Sequence, residues 1–87
     1  MKIIMKPIEM IAWFNNTNYP IPLRFRVETE NKTNIVIKID KIVFKEMQKI
    51  AGNRMIVYRC EGIISGLQRT FELKYEIDTC KWYLFKM

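Results

Sequence analysis

The chain has 87 residues, a formal charge of +6 from 15 Lys and Arg against 9 Asp and Glu, and no histidine. This size holds one domain, residues 1–87, and one core, and a hydrophobic fraction of 49% excludes intrinsic disorder. Without histidine the chain lacks the commonest general base and the commonest metal ligand, so Ser-His-Asp and Cys-His devices cannot be built from it alone.

The stretch Met1 to Pro7 has an apolar run of three residues, short of the ~7–15 of a signal sequence. No apolar run reaches the ~18–20 residues of a membrane-spanning helix. The expectation is a cytoplasmic protein with no membrane partner. In a reducing cytoplasm Cys60 and Cys80 are expected as free thiols, both serving as small apolar side chains inside the fold.

Ile8–Phe14 reads as a first strand, with Met10, Ala12 and Phe14 on one face. Asn15–Pro22 is turn chemistry, because Asn satisfies local backbone groups and Pro removes a ladder donor. Leu23, Phe25 and Val27 alternate with Arg24, Arg26 and Glu28 in a second strand, and Glu30–Asn34 forms a polar hairpin loop. Ile35, Ile37 and Ile39 begin a third strand. After Asp40 the apolar parity flips to Ile42 and Phe44, as a β-bulge or sharp bend produces.

Asp40–Gly52 admits two readings. Asp40 could cap a short helix within residues 40–51 that Gly52 ends, with Val43, Met47 and Ile50 on one face. The run Ile42-Val43-Phe44 favours strand, in a long hairpin that turns near Ala51-Gly52-Asn53 and pairs with Met55–Cys60. Glu61–Gly66 reads as a further turn, and Gly52, Gly62 and Gly66 all as turn glycines supplying positive φ.

The strongest periodicity is Arg69–Asp78. Phe71, Leu73, Tyr75 and Ile77 take one parity, while Thr70, Glu72, Lys74, Glu76 and Asp78 take the other. That alternation is a strand with one oily and one wet face. A tight turn at Asp78-Thr79 leads to a last strand, Cys80–Phe85, apolar on both faces and therefore either central or exposed for a partner. Together these predict an all-β fold: a small antiparallel meander of six to seven strands, a rolled sheet or small barrel of the SH3-like or OB-like kind.

The search for chemistry predicts no catalytic residues, no metal site and no cofactor. Two cysteines twenty residues apart without a CxxC make a poor ligand set. The glycines form no phosphate loop, and the acidic pairs lie among basic neighbours where nothing raises a carboxyl pKa.

Two functions follow. The doubly apolar last strand and small size point to a non-enzymatic protein-interaction or accessory module, with a protein partner or self-association. The basic balance points to a sequence-tolerant single-stranded nucleic-acid binder. In that reading Arg24, Arg26, Lys38 and Arg59 neutralise phosphates while Trp13 or Tyr83 stacks on bases.

Four segments carry a resemblance: Lys38–Ile42, Ala51–Met55, Tyr58–Cys60 and Phe71–Trp82. From Ile21 onward the chain resembles a group of small uncharacterised proteins of clostridia and related Firmicutes. The resemblance implies a cytoplasmic bacterial protein and carries over no activity and no site residues.

Overall fold

A computed structural model of the chain describes residues 1–17 and 19–87. Asn18, inside the predicted Asn15–Pro22 turn, lies outside the described residues. Seven strands follow in order: β1 (Ile3–Trp13), β2 (Ile21–Glu28), β3 (Asn34–Lys38), β4 (Lys41–Ile50), β5 (Asn53–Ile64), β6 (Leu67–Glu76) and β7 (Lys81–Lys86). They form one antiparallel sheet in the order β3-β2-β1-β7-β6-β5-β4. The topology is two meanders, β1 to β3 and β4 to β7, joined where β1 pairs with β7. The sheet curls into a half-barrel, so the rolled-sheet form of the expectation is the one realised.

There is no helix among the described residues. Where a short helix within residues 40–51 was the alternative, β4 runs as strand and pairs with β5 from Lys41↔Glu61 to Ile50↔Asn53. The β-favouring Ile42-Val43-Phe44 run and the two-residue turn at Ala51-Gly52 together decide this. Both turn residues have positive φ, 50° and 83°, the pattern of the type I′ turn that matches strand twist. Ser65-Gly66 repeats it between β5 and β6, with φ of 52° and 79°.

The parity flip expected at Asp40 is a corner. Ile39-Asp40 carries the chain from one edge of the sheet to the other. The Ile39 amide donates to the Leu23 carbonyl at 3.0 Å and the Asp40 amide to the Glu61 carbonyl at 2.9 Å. Beside this corner the end of β3 comes against β5 at Gly62. A Cβ on Gly62 would lie 2.5 Å from the Lys38 carbonyl oxygen and 3.3 Å from the Phe71 ring. The expectation of a turn at Gly62 is therefore corrected: Gly62 sits within β5, and it is glycine because backbone approaches backbone there. A second irregularity, between Ile42 and Phe44, places Val43 in a bulge.

The concave face holds the core in cross-strand rows. Ile56, Tyr75, Trp82 and Ile8 form one row, and Tyr58, Leu73 and Leu84 another. The first meander contributes Met10, Phe25 and Ile37. Phe25 meets Phe71 edge-on at 5.6 Å, which packs the two meanders together. Tyr75 and Trp82 pack with ring centroids 4.7 Å apart and planes tilted by 38°. The buried Tyr58 hydroxyl donates to the Pro20 carbonyl at 2.5 Å. That bond ties the β1–β2 loop to the core and satisfies a phenol that would otherwise be stranded.

Two further expectations change. Phe71, Leu73 and Tyr75 do face the core, but Glu72 and Lys74 opposite them are buried as well. Val57 and Tyr83 flank Lys74 in its cross-strand row. The Lys74 ammonium sits 3.7 Å from the Phe85 ring centroid, and Arg59 pairs with Glu72 at 2.7 Å. Long neighbouring side chains cover this central convex surface, so it is not wet. Of the two thiols, Cys60 is buried as expected, whereas Cys80 is exposed in the β6–β7 turn with a φ of 60°.

Candidate interaction surfaces

The six residues proposed from sequence for nucleic-acid contact fall into two groups. Arg24 and Lys38 are direct partners across β2 and β3, and Arg24 pairs on its other side with Ile11 of β1. Arg26 lies one step along the same face, opposite Glu9, and its guanidinium is held by the Glu9 carboxylate at 2.5 Å. Trp13 closes this group at the end of β1, more than half exposed. An open depression of about 540 Å³ lies here, lined by Glu9, Ile11, Arg24, Arg26 and Val36 among others.

Arg59 and Tyr83 belong elsewhere. Arg59 is on β5, four strand positions from β2 and so about 19 Å away along the sheet, and Glu72 holds it. Tyr83 is half-buried opposite Lys74. Two of the four predicted phosphate contacts thus already carry carboxylate partners. Arg24 and Lys38 face each other as like charges, an arrangement that destabilises a sheet unless an anion relieves it.

Sequence reasoning missed the exposed apolar surface of β4. This strand is a ten-residue edge strand. Val43, Phe44, Met47 and Ile50 are 48%, 50%, 44% and 59% exposed. Register with β5 puts Ile42, Lys45, Met47 and Lys49 on the concave side and Phe44, Glu46, Gln48 and Ile50 on the convex side. The signal was present in the chain: apolar residues of mixed parity fit an edge strand bare on both faces as well as they fit a helix stripe. The opposite edge, β3, has only five residues.

A second open cleft of about 650 Å³ lies where β1 diverges from β7, lined by Ile8, Met10, Ala12, Phe14, Tyr75 and Trp82, with Cys80 and Lys81 at its rim. Phe14 packs edge-on against Tyr75 at 6.1 Å. Burial, and then a hydrogen bond with Cys80, push the Tyr75 hydroxyl up to about 12. Burial, reinforced by the nearby Glu72, pushes the Cys60 thiol up to about 12, which keeps it protonated and unreactive. Burial also raises Tyr58 above the ordinary tyrosine range. Glu76 moves the other way, its carboxylate held low by hydrogen bonds from Thr79 and Asn53.

Among the described residues no cluster of three or more Cys, Asp or Glu side chains is placed to hold a metal ion. No helix there is long and apolar enough to cross a membrane. Compared with protein-family models, with curated proteins and with solved structures, the chain finds no match.

Proposed function

We propose that this protein is a non-enzymatic protein-interaction or accessory module of the bacterial cytoplasm. One observation carries the reading. Among the described residues sixteen large hydrophobic side chains are exposed, against thirteen hydrophobic residues buried in the core. Single exposed apolar residues are ordinary, but a small fold that leaves this many outside, with four of them on one unpaired edge strand, has surface to cover. Size-exclusion chromatography with light scattering, followed by capture on the immobilised chain, tests it. A strict monomer that retains no partner overturns it.

A second reading, single-stranded nucleic-acid binding, rests on the Arg24–Lys38 pair beside Ile11 and Trp13. Its test is an oligonucleotide titration at two salt concentrations. The expected log–log slope is about −0.7 per phosphate neutralised. Because Glu9 and Glu72 hold Arg26 and Arg59, the slope should correspond to about two phosphates and not four. No binding at low salt removes this reading.

A further inference from the structure

We infer that the β4 edge is a docking site for an acidic extended peptide, which adds to the sheet as an eighth strand. This rests on the interaction-module reading and specifies its partner. A sheet edge offers unpaired backbone groups, so an added strand gains main-chain hydrogen bonds along its length and side-chain contacts on alternate residues.

The side chains define the occupant. On the concave side the edge presents Lys45, Met47 and Lys49 in consecutive cross-strand positions, opposite Tyr58, Ile56 and Arg54 of β5. An incoming strand therefore meets cation, apolar group and cation. It is best matched by acidic residues two positions either side of an apolar one. On the convex side Phe44 and Ile50 flank Glu46 and Gln48, which asks for apolar residues at the ends and uncharged polar ones between.

Lysines on an edge strand also guard against aggregation. Here the guard is selective. β4 carries Lys41, Lys45 and Lys49 against the single Glu46, in a chain of net charge +6. A second copy of this chain would bring a like-charged edge, whereas an acidic strand is drawn in. The device that discourages self-pairing thus sets the specificity.

The probe is the labelled peptide Val-Glu-Thr-Val-Thr-Glu-Ile, followed by fluorescence anisotropy, with a second peptide carrying Lys in place of both Glu as its opposite. The wild-type chain should bind the Glu peptide, more weakly as salt rises, and show new hydrogen-exchange protection at β4 amides. The double variant Lys45→Glu, Lys49→Glu should bind the Glu peptide about tenfold more weakly or worse and should now take the Lys peptide. Both changes are at exposed positions, and an unchanged circular dichroism spectrum and melting curve confirm that the variant folds.

Equal binding of the two peptides, or binding of neither, overturns the inference. So does an oligothymidine that displaces the Glu peptide from β4, or a wild-type dimer with protected β4 amides. Should the peptide fail while the chain still captures a protein indifferent to the double variant, the acidic-strand inference falls and the interaction reading stands. Should both peptide and capture fail, both fall.

Discussion

The two edges of this sheet treat the same physical difficulty in opposite ways. Any edge strand exposes a row of backbone donors and acceptors. β3 is short, and its far end is brought against β5 at the Ile39-Asp40 corner, where Gly62 gives up its side chain so that two backbones can meet. β4 is twice as long and keeps four large apolar residues in solvent. Closure at one end of the roll therefore comes from a backbone contact, and the ladder it does not complete leaves a long strand available. A domain this small could have buried more surface by closing fully. That it does not is the physical reason to assign the open edge a role.

The largest way to break this arrangement is in the core that both edges share. Leu73 is fully buried between Tyr58 and Leu84 in its cross-strand row. Leu73→Asp places an unpaired charge there and should destabilise by more than about 4 kcal/mol. The expected result is loss of the cooperative melt by circular dichroism, and with it every binding activity. A folded variant would mean that the concave face is not the core.

The tied edge breaks at Gly62. In Gly62→Ala the new methyl meets the Lys38 carbonyl, which is backbone and can yield only if the corner opens. Overpacking of this kind costs about 1–3 kcal/mol. We expect a value at the upper end, read by urea denaturation, with amide exchange quickening at Ile39 and Asp40. Gly52→Ala makes a contrast: no atom lies within 4 Å of its Cβ, so any loss there comes from the positive φ of the turn alone.

How far the sequence disclosed this molecule depends on which signal a region relied on. Period-two alternation located the cores of β2 and β6, and the flip at Asp40 correctly marked the corner, because side-chain parity is a local property; β5, apolar without a break from Met55 to Tyr58, was placed by its hairpin turn instead. Gly62 was misread because its reason lies in β3, more than twenty residues earlier in the chain. The convex face was misread for a related cause: Lys74 looks solvated by its charge, yet β7 lays Phe85 beneath its ammonium. The candidate site suffered most. Arg24 and Lys38 do meet, but only the sheet order shows that Arg59 stands on another strand group with its own carboxylate. Lys74→Ser sharpens the point. Loss of the cation–π contact and of the buried stem should cost about 1–2 kcal/mol in a denaturation curve, whereas a wet face would give no more than about 0.5 kcal/mol.

The pH dependence separates core from edge by a different route. Burial raises the Cys60 thiol from 9.0 to about 12, so the folded state holds its proton where the unfolded chain releases it. The stability this group contributes is whole below pH 9 and is lost progressively as pH rises toward 12. Between pH 9 and 10 the loss from this group should be about 1 kcal/mol, with a smaller loss from Tyr58 and Tyr75, which burial also holds protonated while they begin to ionise in the unfolded chain. Cys60→Ala should make that part of the curve shallower, leaving the tyrosine contribution, at some cost to the starting stability.

The smallest expected effect on stability is the most informative about the open edge. Phe44 is half-exposed on the convex side of β4 and pairs with Arg59. Phe44→Ser removes apolar surface that folding has only partly taken from water, so the denaturation midpoint should move by no more than about 0.5 kcal/mol. Partner capture by the immobilised chain should nevertheless fall, because the same ring would be covered fully when a strand adds to the edge. Stability and capture lost together would make Phe44 a structural residue and close β4 as an interface. Capture lost alone would show that this edge carries apolar groups for something outside the fold.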